Sequence, residues 1–112
     1  MGANFVQRGD SVDYIPSTDV AVGSVIVQGD LVGVSKLDIP AGTLGALHVT
    51  GVYDISKATG AGSAIPVGSE VYYDATNKVA TLDADGGTNK TLGKSILDAG
   101  DDDPSVRVRL SQ

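Results

Sequence analysis

The sequence predicts an all-β protein, a small single-domain β-barrel or sandwich of about eight to ten short strands with an extended N-terminal arm. Fifteen Val, six Ile and eight Thr supply β-branched side chains, whereas the 112 residues include one Glu, one Phe and no Trp. β-Branched side chains favour strands over helices. Fifteen Gly and four Pro fall between short apolar runs, as is typical of strands joined by tight turns.

The chain begins with a short segment that precedes the first turn signal. Residues 1–8 contain Phe5 and Val6 as their sizeable apolar side chains, and Gly9-Asp10 follows as a turn signal. We expect residues 1–8 to form an arm and residues 9–112 to form one β domain.

Alternating apolar residues and turn signals predict the strands that follow. The clearest hairpin has Gly29-Asp30 between two apolar runs, a Gly-X connection favoured in type II′ turns. A second hairpin is expected around residues 75–77, and alternation over residues 46–55 predicts one long strand that can bend at Gly51. Residues 57–68 are expected to form a loop that includes at most one helical turn, and residues 83–89 a polar, exposed loop. The predicted strands lie at residues 12–14, 20–22, 24–28, 31–35, 46–55, 70–74, 78–82, 91–97 and 106–110.

The last predicted strand has two chemically different faces. Val106, Val108 and Leu110 alternate with Arg107 and Arg109. Since successive side chains point to opposite sides of a strand, one face is expected to be buried and the other cationic.

Composition limits the classes of function that fit this chain. The absence of Cys excludes disulfides, thiolate metal sites and a cysteine nucleophile. The net charge of −6 and a pI near 4.4 disfavour unaided binding to nucleic acid or to an anionic membrane. No apolar run approaches the roughly 18 residues of a membrane helix, and we expect no export signal. We expect neither a membrane anchor nor a cofactor, metal or small-molecule substrate.

Gly93-Lys94-Ser95 matches the end of the phosphate-binding loop of P-loop NTPases. That loop needs a second glycine at position 88, where this sequence has Thr88. It also needs a following helix, and the few residues between Ser95 and Gly100 are too short to form one. We therefore expect Lys94 to be an outward-facing strand residue.

Other short patterns are better explained by turns than by chemistry. The acidic loops at residues 83–89 and 101–103 suggest weak cation sites, but they lack the ligand spacing of a calcium loop, and solvated turns are the expectation. His48 lacks a local nucleophile motif, so a polar-face residue is expected rather than a catalytic base. Arg8-Gly9-Asp10 and Asn89-Lys90-Thr91 match three-letter motifs that recur by chance. We therefore expect that the protein is not an enzyme.

Taken as a whole, the chain resembles a known family in the order and spacing of six segments. They are residues 4–10 (NFVQRGD), 29–34 (GDLVGV), 51–58 (GVYDISKA), 67–74 (VGSEVYYD), 92–95 (LGKS) and 106–110 (VRVRL). In these segments the sequence is similar to the small capsid cement, or head decoration, proteins of tailed bacteriophages and prophages. Members of that family have often carried a recombinase-like label, which the missing P-loop glycine and the acidic pI argue against here.

The resemblance implies a structural role on the phage head. It implies a β-barrel or sandwich that binds the outer surface of the expanded shell as a homotrimer and stabilises it, with the major capsid protein as partner and the host cytoplasm as its location before assembly. The arm could add a strand to a sheet edge of the shell protein. The residues proposed for this contact are Ala3, Asn4, Phe5, Val6 and Gln7; alternatively, they form an edge strand of the domain itself.

A second function class remains open on the sequence alone. A β-rich phage or prophage accessory module that recognises a glycan or host surface would have a similar composition. Glycan sites usually present aromatic platforms, whereas the adjacent pair Tyr72 and Tyr73 is expected to point to opposite faces.

Overall fold

The computed structural model of the protein describes residues 2–3 and 9–111. Within these residues the chain forms nine β-strands and one short 3-10 helix at Asp85–Gly87. The strands are β1 (Ser11–Tyr14), β2 (Val25–Gln28), β3 (Leu31–Val34), β4 (Gly45–His48), β5 (Gly51–Ser56), β6 (Glu70–Asp74), β7 (Val79–Thr81), β8 (Lys90–Ser95) and β9 (Ser105–Leu110). The all-β prediction is confirmed. In the described part of the chain, no helix has the length and apolar character that a membrane span requires.

The strands form two antiparallel sheets. Sheet 1 has four strands in the order β1-β4-β3-β2, and sheet 2 has five in the order β5-β9-β8-β6-β7. Val32 and Val34 of sheet 1 belong to the same buried cluster as the inward residues of sheet 2. Because neither sheet closes on itself, the fold is a sandwich, one of the two architectures that the sequence predicts.

The expectation of one long strand over residues 46–55 is wrong. β4 ends at His48 in sheet 1, and β5 begins at Gly51 in sheet 2. At the transition the Val49 amide donates to the Asp10 carbonyl at 3.0 Å, and Gly51 adopts a positive φ of 108°. Side-chain alternation continues through the break, so periodicity alone cannot show that the chain changes sheets.

Both predicted hairpins are present. Val25 to Gln28 pair with Leu31 to Val34 around Gly29-Asp30, with Gly29 at a φ of 63°. The β6–β7 turn is capped by Asp74 Oδ1, which accepts the amides of Thr76 at 3.0 Å and Asn77 at 3.1 Å. Donation from Asn77 and Thr76 lowers the pKa of Asp74.

Residues 20–22 and 57–68 form neither a strand nor a helix, but each contains at least one residue that pairs with a distant segment. In the predicted extended piece at residues 20–22, Val20 forms one isolated bridge with Ile39. The predicted loop at residues 57–68 has no helical turn, but Ile65 bridges to Ala99 and is buried in the core.

The core lies mainly on the inner face of sheet 2. β9 shows strict alternation, with its three apolar residues buried and its two arginines exposed, as predicted. Gly93 lets β8 approach β9 closely, since a Cβ there would lie 2.0 Å from the Arg109 carbonyl oxygen. The main core cluster comprises Val32, Val34, Ile55, Ile65, Val71, Tyr73, Ala80, Leu92, Ala99, Val106, Val108 and Leu110.

Candidate docking surfaces

The residues proposed for capsid contact fall mostly outside the described part of the chain. Ala3 is exposed, whereas Asn4, Phe5, Val6 and Gln7 lie outside the described residues. Residue 9 lies just before β1, which is an edge strand of sheet 1. The predicted arm therefore precedes a strand that, among the described residues, lies at the edge of its sheet, which is the position that strand addition uses.

Gly93-Lys94-Ser95 lies inside β8 and has a structural role. Ser95 is buried, and its hydroxyl donates to the Pro66 carbonyl at 2.6 Å and accepts the Ser69 amide at 3.1 Å. Lys94 is exposed, as the sequence predicts. Because these residues lie within a paired strand and not in a strand-to-helix loop, they do not form a phosphate cradle.

Oxygens of the acidic loop at residues 83–89 accept hydrogen bonds from donors of the same loop. Asp83 Oδ1 accepts the Asp85 amide at 2.8 Å, and the Asn89 side-chain amide donates to the Asp83 carbonyl at 2.8 Å. Among the described residues, no group of three or more His, Asp or Glu side chains is arranged to hold a metal ion.

The acidic turn at residues 101–103 contacts a lysine that sequence reasoning missed. Lys57 is 4% exposed, and its Nζ donates to the backbone carbonyls of Ala58 at 2.6 Å, Asp101 at 3.2 Å and Asp103 at 3.3 Å. An ammonium group has three donors, so three carbonyls satisfy it. The turn therefore encloses a cation of the protein itself, held by main-chain oxygens rather than by the aspartate side chains.

His48 lies at the end of β4, opposite Ser11 of β1 and Val34 of β3. The imidazole is half-buried. None of the hydrogen bonds and ion pairs found among the described residues joins it to a carboxylate, so the orienting group that a catalytic histidine needs is not shown.

The exposed face of sheet 2 contains a set of charged residues in register. Asp54 of β5 lies opposite Arg107 of β9, and the arginine donates to both carboxylate oxygens at 3.0 and 3.3 Å. This bidentate pair lowers the pKa of Asp54 and raises that of Arg107. One row further along, Arg109 lies opposite Lys94 of β8. We call this surface, made of Asp54, Arg107, Arg109 and Lys94, the charged face.

Several large apolar side chains are exposed around the loops. Leu37 and Leu44 line one small cavity of about 140 Å³ at the end of sheet 1. At the margin of sheet 2, the Val67 amide donates to Asp98 Oδ1 at 2.7 Å. The exposed set comprises Ile15, Val22, Leu37, Leu44, Val52, Val67, Leu82, Ile96 and Leu97.

The two adjacent tyrosines point to opposite sides of β6, as the sequence predicts. Tyr73 is buried in the core, and Tyr72 is partly exposed. Burial and the nearby Glu70 carboxylate raise the pKa of Tyr72. The pair therefore does not form a flat aromatic platform of the kind that glycan sites present.

A wide groove separates two strands that lie at sheet edges. β2 ends sheet 1 and β5 begins sheet 2, and both line a cavity of about 670 Å³ together with the β6–β7 turn. Val25, Val27, Val34 and Ile55 supply its apolar wall.

Comparison with known families gives one match. The model of a family described as phage cement protein matches residues 6–110, nearly the whole chain. No curated protein sequence matches the chain, and no solved structure matches it.

Proposed function

The chain belongs to the phage cement protein family, and from this membership we propose that it binds the outer surface of a tailed-phage head and stabilises the expanded shell. Membership gives the protein a structural, capsid-associated role. The finer statements, which concern the outer surface, the major capsid protein as partner and the reinforcement of the shell, are our proposal. The match over residues 6–110 is the observation that carries it.

The architecture supports attachment through strands and surfaces. Among the described strands, β1 pairs only with β4, at the edge of sheet 1, and it follows the N-terminal segment. Strands at the edge of a sheet are the usual sites at which another chain adds a strand. A protein that binds a lattice in many copies needs accessible edges of this kind more than it needs an enclosed cavity.

We propose that Ala3, Asn4, Phe5, Val6 and Gln7 dock on a sheet edge of the major capsid protein by strand addition. Main-chain hydrogen bonds would supply register, and Phe5 would supply the apolar anchor. Burying one such aromatic side chain contributes about 1.5–3 kcal/mol. A symmetric oligomer that engages the lattice through several arms at once multiplies this contribution.

The test compares folding with head binding in the same variants. Deletion of residues 1–8 should leave the melting temperature nearly unchanged and should abolish co-sedimentation with expanded heads. Phe5→Ala should weaken co-sedimentation strongly, whereas the matched control Asn4→Ala should weaken it little. A truncated protein that melts much earlier yet still binds heads would show that the arm belongs to the domain and that docking lies elsewhere.

We also propose that the protein is a homotrimer on the virion and is located in the host cytoplasm before assembly. Closed symmetry suits a protein that meets a symmetric lattice, and it covers sheet edges that would otherwise stay open. Light scattering at tens of micromolar should give the mass of a trimer, and electron microscopy of decorated heads should show three-fold clusters. Isolated monomers in both measurements would rule the trimer out.

A further inference from the structure

Two cations lie directly opposite one another on the charged face. Lys94 of β8 and Arg109 of β9 are register partners, and both side chains are exposed. Like charges in directly opposed positions destabilise a sheet. Sequence periodicity puts each residue on an outer face, but only the register of β8 against β9 places them together.

No carboxylate of the described residues forms an ion pair with either cation. The ion pairs found there join Lys90 to Asp30 and Arg107 to Asp54. Glu70 is the register partner of Lys94 on the other side, yet its carboxylate accepts the Thr91 hydroxyl at 3.2 Å instead. In a chain with fourteen acidic residues and a net charge of −6, an unpaired cation pair fits an interface for an anionic partner.

The acidic turn at residues 101–103 has the complementary charge. Asp101 Oδ1 accepts the Ala64 amide at 2.9 Å, and Asp103 Oδ2 accepts the Gly100 amide at 2.7 Å. Asp102 is exposed, and its carboxylate forms no hydrogen bond with the described residues. Because the buried Lys57 ammonium holds the carbonyls on both sides of Asp102, little order would have to be gained when the turn binds.

Within one copy, the turn forms no ion pair with Lys94 or Arg109 among the described residues. Asp103 lies two residues before β9, and Arg109 is the fifth residue of that strand. At about 3.3 Å per residue, the separation is roughly 20 Å along an extended strand. The charges of the turn and of the cation pair are therefore both available for a contact between two molecules.

We infer that the Lys94–Arg109 pair of one copy binds the Asp102 turn of a second copy. The contact is heterologous, because different surfaces of the two copies meet, and repetition of such a contact closes into a ring when the rotation permits. Exposed Val52, the register partner of Arg109 on its other side, adds apolar area beside the charges. The inference rests on the proposed self-association and gives it defined contact surfaces.

The test is a charge swap on the full-length protein, followed by sedimentation equilibrium. Arg109→Glu and Asp102→Lys should each weaken association at about 20 mM salt by about tenfold or more, because each replaces attraction with repulsion. The double variant R109E/D102K keeps the net charge of −6 and should recover association. Lys78→Glu is the matched control for R109E: it changes the charge equally at an exposed lysine in the β6–β7 turn, and it should associate like the unmodified protein.

The outcomes separate the inference from the proposed function. Failure of the double variant to recover, while both single variants are folded and monomeric, would show that these two surfaces do not meet. Unmodified protein that stays monomeric at hundreds of micromolar and low salt would overturn the inference. If that monomer still co-sediments with heads, the proposed function stands without the inference. An oligomer that recovers by charge swap but never binds heads would support the contact between copies and contradict the proposed function.

Discussion

The two sheets of the sandwich differ in how continuously their neighbouring strands are paired. In sheet 2, β5 and β9 pair along all six residues from Gly51–Leu110 to Ser56–Ser105. In sheet 1, the central strands β3 and β4 share a single register pair, Val34 with His48. The main core cluster draws two of its twelve members, Val32 and Val34, from sheet 1.

This difference suggests that sheet 2 is the rigid scaffold of the molecule and that sheet 1 adjusts more easily. Sheet 2 supplies most of the buried apolar surface, and its outer side presents the charged face. Sheet 1 is adjacent to the N-terminal segment and includes long loops between its strands. Regions with few buried contacts open at lower free energy, so sheet 1 is expected to exchange amide protons before sheet 2.

The largest expected effect is at the closest approach in sheet 2. Gly93→Ala would place a Cβ 2.0 Å from the Arg109 carbonyl oxygen and 2.7 Å from the Ser111 amide nitrogen, at a φ of 154°. Backbone atoms on both strands would have to separate, so we expect a loss of more than about 4 kcal/mol or failure to fold. Circular dichroism and urea unfolding measure this.

Two matched glycines sharpen the result. Gly33→Ala in sheet 1 brings a Cβ within 2.8 Å of the Leu47 side chain, and a loss of about 1–3 kcal/mol is expected because sheet 1 can adjust. Gly100→Ala places a Cβ in ordinary contact with the Asp103 carboxylate, at 3.6 Å from Oδ2, and should be nearly neutral. A Gly93 variant as stable as the Gly100 variant would contradict the scaffold role of the β8–β9 approach.

The next effect compares one fully buried leucine from each sheet. Leu92 belongs to the main core cluster, whereas Leu47 is equally buried but lies outside that cluster. Leu92→Ala should cost about 3–5 kcal/mol and Leu47→Ala about 2–3 kcal/mol, because a cavity under sheet 1 can collapse further. Urea denaturation with both variants measures the difference. Equal losses of unfolding free energy in the two variants would show that sheet 1 is as rigid as sheet 2.

A moderate effect is expected where the margin of sheet 2 is held by Lys57. This residue forms a parallel bridge with Ala80 of β7, and its ammonium satisfies three carbonyls. Lys57→Met keeps the apolar stem and removes the ammonium donor from all three carbonyls, of which the Asp101 carbonyl still accepts the Gly60 amide at 2.9 Å. A loss of about 1–3 kcal/mol is expected.

Hydrogen exchange identifies where this loss acts. The Gly60 and Ala64 amides, which donate to Asp101, should exchange faster in the Lys57→Met variant. The exposed control Lys78→Met should change neither stability nor exchange. Unchanged exchange at both amides would mean that the turn does not depend on Lys57.

The smallest effect concerns the exposed Asp54–Arg107 pair on sheet 2. The Arg107 hydrogen bond lowers the pKa of Asp54 in the folded protein. A depressed folded-state pKa contributes stability that is present above the unfolded pKa and is lost as the pH falls through the folded one. Arg107→Ala should therefore return the Asp54 pKa toward its ordinary value and slightly flatten the loss of stability below about pH 4. Carboxylate titration by NMR checks this, with Asp30, whose pKa Lys90 lowers, as the unchanged reference.

Much of the strand pattern follows from local sequence. Alternation of Val106, Val108 and Leu110 with Arg107 and Arg109 predicts both faces of β9, because the side-chain period of a strand is two. Gly29-Asp30 predicts its hairpin because Gly adopts the positive φ of such a turn without steric cost. Signals of this kind involve residues a few positions apart in the sequence, so they do not depend on tertiary contacts.

The docking surfaces depend on longer-range information. Lys57 resembles an ordinary loop lysine in the sequence, since its carbonyl acceptors at Asp101 and Asp103 lie 44 and 46 residues away. The register that places Lys94 beside Arg109 is equally absent from either strand taken alone. The arm at residues 1–8 stays a prediction, with Ala3 as its one candidate contact residue among the described residues.

The sequence by itself determined the all-β class, the positions of the hairpins, the buried and exposed faces of the strands and the family. The tertiary structure decided how the strands divide between two sheets, that the run over residues 46–55 breaks at Val49 and Thr50, and which lysine is buried. The physical reason is that alternation and turn chemistry are local, whereas sheet membership, register and burial arise when segments distant in the chain compete for the same neighbours.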